Sequence, residues 1–267
     1  MIHSERDLAF LDHPEIIRLV FYPRKHQGKP RETTDTYSLS ISVDEDIHIV
    51  GRFYLTNNCK FAPTILFFHG NGEIATDYDF IGPTYQHMGI NFFVADYRGY
   101  GQSGGHPSFS SMIRDAHAIY QGFRRYLSEK EFIGQVSVMG RSLGSASAIE
   151  IASHYQEQLS CLIIESGFIY TYNLLRRLGI SSSLLPPDRE EQASALSLLG
   201  SIRIPTLIIH GENDMIIPLE DGAALHKNLG SEHKEFLIIP GAGHNDLLLI
   251  GPDDYMEAIG QIITKSG

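Results

Sequence analysis

At 267 residues, 42% of them hydrophobic, the chain has the length and composition for one large α/β domain or two small ones. Its 32 acidic and 21 basic residues give a formal net charge of −11, and Lys and Arg come only in short runs such as Arg24-Lys25, Arg124-Arg125 and Arg176-Arg177, which excludes a nucleic-acid partner because phosphate binding needs clustered cations. The first residues, Met1-Ile-His-Ser-Glu-Arg-Asp7, lack the basic flank and apolar core of a secretory signal, and no apolar stretch has bilayer-spanning length, so the expectation is a cytoplasmic protein with no integral membrane segment.

Up to about residue 31, charge and two prolines, Pro23 and Pro30, surround one apolar patch at residues 16–22, which reads as an arm packed on the domain edge. Polar and apolar residues then alternate through Tyr37, Leu39, Ile41 and Val43, and again through Ile47, Ile49 and Phe53. With Asp44-Glu-Asp46 between them as the turn, these two stretches predict an antiparallel hairpin. After Pro63 come short, nearly continuous apolar runs at residues 65–68, 92–95, 136–139, 162–164, 206–209 and 236–239. Strands covered on both faces have this composition. Helical patterns over residues 111–127, 143–159, 219–229 and 252–264 supply the crossovers of a mostly parallel central sheet with helices on both faces, an α/β fold. Between residues 168 and 201 the chain is longer than one crossover helix requires, and Ser181-Ser-Ser183 and Pro186-Pro187 interrupt it. This segment reads as a lid or cap inserted in a single domain over residues 1–267. Cys59 and Cys161 fall in separate predicted strands without metal-ligand or redox spacing, and read as small buried apolar side chains.

Three motifs close predicted strands: Gly140-Arg-Ser142-Leu-Gly144, His210-Gly-Glu-Asn-Asp214 and Gly241-Ala-Gly-His244. A parallel sheet delivers its strand ends to one edge, so residues far apart in sequence converge there. Gly-x-Ser-x-Gly between a strand and a helix is a nucleophile elbow, with glycines where side chains would collide. Ser142 has that context. The second match, Gly101-Gln-Ser103-Gly-Gly105, follows an intervening loop and precedes Pro107, so Ser103 reads as structural. The same loop matches a dinucleotide fingerprint but lacks the first-strand position and the downstream acid that such a site needs.

A serine hydroxyl needs an imidazole to accept its proton and a carboxylate to orient that imidazole. His244, in a glycine-rich turn beyond an apolar strand, is the candidate base, whereas His117, His154 and His226 lie on ordinary helical stretches. Asp214 is the favoured acid and gives the chain order Ser, Asp, His. Glu165, ending another strand at the same edge, is its rival, and Glu212 and Asp246 stand close by. Backbone N–H groups of Leu143 and Asn71 are the candidate oxyanion donors, the latter in His69-Gly-Asn-Gly72 after the first parallel strand. His69 itself reads as a structural hydrogen-bond partner.

The segments His69-Gly-Asn-Gly72, Asp96-Tyr-Arg-Gly-Tyr-Gly-Gln-Ser-Gly104, Gly140-Arg-Ser-Leu-Gly-Ser145, Gly211-Glu-Asn-Asp214 and Gly243-His-Asn-Asp246 together resemble the α/β-hydrolase superfamily, and within it the BEM46-like or serine-aminopeptidase-like serine hydrolases. The resemblance runs from about residue 63 to the carboxyl terminus. It implies an acyl hydrolase without metal or cofactor, with Ser142, Asp214 and His244 as its triad and residues 96–104 as a structural turn. The group includes carboxylesterases, lipases, thioesterases that remove palmitate from proteins, and peptidases, which differ in lid and pocket. No cysteine-rich amino-terminal anchor of the depalmitoylase kind is read in the sequence, which makes depalmitoylation the less expected of these activities. Leu174, Leu175, Leu178, Ile180, Leu184 and Leu185 of the insertion either wall an apolar acyl pocket or pack the insertion onto the domain. The expected substrate is a small-molecule ester of short or medium acyl chain; a thioesterase, a peptidase or a catalytically silent binding protein using the same cleft are the alternatives.

Overall fold

The computed structural model describes residues 10–181 and 185–265. A short helix, α1 (Pro14–Val20), precedes the antiparallel hairpin of β1 (Thr36–Ser42) and β2 (His48–Tyr54), in which Thr36 lies opposite Tyr54 and Ser42 opposite His48. Each of the six apolar runs then lies within a strand: β3 (Thr64–Phe68), β4 (Asn91–Ala95), β5 (Val136–Arg141), β6 (Leu162–Glu165), β7 (Thr206–Gly211) and β8 (Lys234–Ile239). The sheet order is β1-β2-β4-β3-β5-β6-β7-β8, antiparallel at β1–β2 and β2–β4 and parallel elsewhere. The chain moves outward from β3 to β4 and then returns past β3 to β5. The connections leaving β3 and β5 therefore diverge and open a crevice beyond their carboxyl ends.

The helices α2 (Gly82–His87), α3 (Phe109–Glu129), α4 (Gly144–Tyr155), α5 (Thr171–Arg177), α6 (Asp188–Ser201), α7 (Leu219–Asn228), α8 (Leu247–Ile250) and α9 (Pro252–Lys265) cover the two faces. Alternate strand residues point to opposite sides. Leu66 and Phe68 join the core under α3 and α4, while Ile65 and Phe67 join a second core under α2 and α9. Burying each such side chain contributes about 1.5–3 kcal/mol, which is why these strands are apolar throughout. α3 starts two residues before its expected position because Ser108 and Ser111 cap each other's backbone N–H groups. No helix among the described residues is long and apolar enough to cross a membrane.

Three details differ from expectation. The amino-terminal arm does not stop at the domain edge: Leu11, Ile16, Val20 and Phe21 are buried in the first core, and Phe21 meets Phe109 edge-on at 5.2 Å. Beyond it, Gly101 N–H donates to Arg24 O at 2.8 Å, so the arm crosses the loops at the strand ends. Cys59 sits in the turn after β2 and Cys161 just before β6, both outside strands and not joined in a disulfide. The helical pattern read to residue 159 ends at Tyr155, where the chain tightens into a 3-10 turn, Gln156–Gln158.

Within residues 168–201, Leu174, Leu175 and Ile180 are buried in the first core, with Leu178 and Leu185 packed against it; Leu184 lies outside the described residues. The insertion's leucines thus fasten it to the sheet. Glu191 of α6 is buried with them, its Oε1 accepting from Tyr172 N–H at 2.9 Å. Burial raises its carboxyl to about 7, against the opposing hydrogen bonds from Tyr172 and Thr171. The folded chain therefore keeps a proton that the unfolded chain releases above the ordinary glutamate value of 4.5. Stability is expected to fall as pH rises from that value to about 7 and to level off beyond it. Glu191→Gln keeps an acceptor and removes the ionisation, so urea unfolding should show it more stable than the parent at alkaline pH, by up to roughly 3 kcal/mol, and equal at acidic pH. Parallel pH profiles for the two proteins would contradict this.

Candidate active site

β5 runs into the elbow, where Ser142 takes the left-handed backbone conformation, φ 52°. L-residues adopt it rarely, and here the surroundings enforce it. A Cβ on Gly140 would stand 2.3 Å from Gly144 O, and one on Gly144 would stand 2.1 Å from Phe68 O, so the turn closes only with hydrogen at both positions. Ser142 N–H donates to Glu165 O at 2.9 Å, and Ser145 Oγ donates to Ser142 O at 2.6 Å. The hydroxyl is thereby fixed at the crevice.

His244 Nε2 lies 3.0 Å from Ser142 Oγ, and its Nδ1 lies 2.7 Å from Asp214 Oδ2. The other carboxylate oxygen, Asp214 Oδ1, accepts from Ile216 N–H at 2.9 Å and Ile217 N–H at 2.8 Å. Burial alone would raise Asp214, but the His244 hydrogen bond and charge and the two backbone donors outweigh it and hold the carboxyl below its usual range. Hence Asp214 is an anion facing the imidazole. His210, at the end of β7, points Nε2 at Ile217 O at 2.8 Å and braces the same loop.

Leu143 is the residue immediately before α4, so its N–H belongs to the helix-start donors that lack intrahelical acceptors. Asn71 lies in the loop after β3, anchored through its side-chain carbonyl by Tyr22 N–H at 2.9 Å and Tyr100 OH at 2.8 Å. His69 is fully buried, with Nδ1 2.8 Å from Gly70 O and Nε2 3.2 Å from Asp96 Oδ1. Burial works against its protonation, yet the Asp96 hydrogen bond and charge outweigh it and raise its pKa. Ser103 is buried and accepts from Val50 N–H at 2.9 Å, which makes its loop a structural turn. Glu212 and Asp246 accept from Gly241 N–H and Gly243 N–H and brace the histidine loop.

Glu165 is committed elsewhere. Its Oε1 accepts from Arg141 Nε at 3.0 Å and its Oε2 from Tyr255 OH at 2.6 Å. Arg141 is the residue that sequence reasoning passed over. Its Nη1 pairs with Glu73, and its Nη2 donates to His244 O at 2.7 Å and Asn245 Oδ1 at 2.8 Å. One buried guanidinium thus ties the elbow to the β3 loop, to β6 and to the histidine loop. Arg141→Met is expected to lose about 3–5 kcal/mol of stability, because the buried Glu165 carboxylate and the half-buried Glu73 carboxylate lose their shared cation. A denaturant series showing a change below about 1 kcal/mol would reject this role.

The family model for serine aminopeptidase, S33, matches residues 60–186 and 173–248, which together span most of the chain. Protein bem46 of Schizosaccharomyces pombe is 28% identical over 209 residues, 76% of this chain and 68% of that protein. Alpha/beta hydrolase domain-containing protein 17B of Xenopus tropicalis is 30% identical over 215 residues, 78% of this chain and 68% of that protein. Among solved structures, the Pyrococcus furiosus esterase Pf2001 superposes with a TM-score of 0.72 at 18% identity, over 92% of this chain and 99% of that one, a likeness of fold. The chain belongs to the serine aminopeptidase S33 family and is a BEM46-like α/β-hydrolase.

Proposed function

We propose that the chain is a serine hydrolase that cleaves an ester-type acyl bond of a small-molecule substrate, a carboxylesterase, with Ser142 as nucleophile, His244 as base and Asp214 as acid. The observation that carries this reading is the unbroken chain of contacts from Ser142 Oγ through His244 to Asp214, at 3.0 and 2.7 Å. Ser142 Oγ attacks the carbonyl carbon while its proton passes to His244 Nε2, and the imidazolium that forms is stabilised by the Asp214 anion. The carbonyl oxygen becomes an oxyanion met by the N–H groups of Leu143 and Asn71. His244 returns the proton to the leaving alkoxide, which departs as an alcohol and leaves an acyl-enzyme. A water molecule, deprotonated by His244, then attacks the acyl carbon, and the proton returns to Ser142 Oγ as the carboxylic acid leaves. No step needs a metal or cofactor.

A cavity of about 480 Å³ opens beside Arg141 and Asn245, the chain neighbours of Ser142 and His244, and is walled by Phe67, Tyr78, Tyr85 and Leu247. Its lining is mostly aromatic and aliphatic, with Glu73, Arg141 and Glu165 on one side, and a volume of that size suits a short or medium acyl chain. The test is a fluorophosphonate probe together with a graded series of p-nitrophenyl esters. Labelling and turnover should both disappear in Ser142→Ala and persist in Ser103→Ala. The reverse pattern would reject Ser142. Turnover of an acyl thioester or an aminoacyl anilide with no ester cleavage would reassign the enzyme as a thioesterase or a peptidase, and labelling of neither protein would favour a silent binding role.

A further inference from the structure

Away from the elbow, α3 and α4 pack together and bring three potential metal ligands to one place. Glu150 and His154 stand one turn apart on one face of α4, and His117 faces them from α3. His117 Nε2 lies 3.1 Å from Glu150 Oε1, and His154 Nδ1 lies 3.4 Å from the same oxygen. Ligand atoms around a tetrahedral Zn²⁺ with bonds near 2.1 Å stand about 3.4 Å apart, so two of the three edges are already close to the required length. The three atoms all lie within 4.8 Å of one another, and the histidine-to-histidine edge is the one that must close. His154 has room to do so, its side chain being 41% exposed. In the closed site its nitrogen leaves Glu150 O and Ser153 Oγ, now each at 3.0 Å.

Two further observations point to a cation. Glu150 is 1% exposed, and its Oε2 has no hydrogen-bond partner among the described residues, although both imidazoles gather at Oε1. A buried carboxylate oxygen left unpaired is costly, and a cation that Glu150 ligates through both oxygens, Oε1 toward the imidazoles and Oε2 beside it, satisfies it. His117 Nδ1 contacts Tyr155 OH at 3.0 Å, and that hydroxyl also accepts from Gln121. Such an outer partner fixes the ring orientation and leaves Nε2 aimed at the site, as around metal-bound histidines.

We propose that His117, Glu150 and His154 form a binding site for a divalent transition cation, Zn²⁺ foremost, that clasps α3 to α4. Two imidazoles and a carboxylate suit Zn²⁺ and leave one coordination position for water. α4 begins next to Ser142, so the clasp strengthens the helix on which the elbow is built and has no part in the bond-breaking step. Binding needs neutral imidazoles and therefore weakens in acid.

The test is calorimetric titration of the chelator-treated full chain with ZnCl₂ near neutral pH, with Co²⁺ absorption as a report of tetrahedral coordination. One equivalent is expected per chain, accompanied by a rise in the unfolding temperature. His117→Ala and His154→Ala should each weaken binding by about tenfold or more, Tyr155→Phe by a smaller factor, and His244→Ala not at all. His154 is the most exposed ligand, so His154→Ala keeps the test sound if another variant folds poorly. Absence of stoichiometric binding, an affinity equal to the parent's in both ligand variants, or loss of binding in His244→Ala would each overturn the site.

Discussion

Ser142→Ala is expected to lower kcat/KM by about 10⁴-fold or more while leaving the unfolding free energy within about 1 kcal/mol of the parent. The loss is large because the imidazole, the carboxylate and the hydroxyl act as one unit; without the hydroxyl no acyl-enzyme forms, and only binding and oxyanion stabilisation remain. The effect on stability is small because Ser142 is held through its backbone, N–H to Glu165 O and O to Ser145. Ser103→Ala should do the opposite. It removes the acceptor of Val50 N–H in a buried turn, at a cost of about 1–3 kcal/mol, and leaves turnover per folded molecule unchanged. Measured together, kinetics and denaturant unfolding separate the two Gly-x-Ser-x-Gly motifs. If Ser142→Ala kept more than about a tenth of the activity, the nucleophile would have to lie elsewhere.

The parallel strands are legible in the sequence because both faces of the sheet are covered, so β3 to β7 have no polar face to obscure the run. β8 is the exception at the sheet edge, where Lys234 and Glu235 extend the strand two residues before its apolar run. The short elements are not legible. α1, α2 and the 3-10 turn Ala75–Phe80 are six or seven residues long and too brief to hold by propensity; tertiary burial of Ile16, Tyr85 and Tyr78 maintains them. Among the site residues, Ser142, His244 and Asp214 stand out since each follows an apolar run in a turn marked by glycine. Arg141 does not. In the motif it occupies a variable position, and its meaning depends on Glu73, 68 residues earlier, and His244, 103 residues later. His117 is similarly hidden: the Glu150–His154 spacing is visible on a helix, but the third ligand is 33 residues from Glu150 and reads as an ordinary helix position until α3 and α4 are packed.

The choice between Asp214 and Glu165 is open to an experiment whose outcome follows from hydrogen-bond directions. In Asp214→Asn, the oxygen that accepts from Ile216 and Ile217 N–H must remain an oxygen, because an amide nitrogen there would face two donors. The NH₂ group is then turned toward His244 Nδ1, where Asp214 Oδ2 now stands at 2.7 Å. It donates, so Nδ1 becomes the acceptor and the imidazole proton moves to Nε2. A protonated Nε2 cannot take the proton of Ser142 Oγ. The expected fall in kcat is about 10⁴-fold, with the backbone of the site unchanged. Glu165→Gln follows different logic: both carboxylate oxygens accept, from Arg141 Nε and Tyr255 OH, so the amide oxygen stays on the Arg141 side and the amide nitrogen faces Tyr255 OH, which must turn from donor to acceptor, while Arg141 loses a charged partner. That mismatch is expected to cost about 1–3 kcal/mol of stability and less than a tenfold change in kcat of the folded fraction. Equal losses of kcat in the two variants, or a larger one in Glu165→Gln, would move the acid role from β7 to β6.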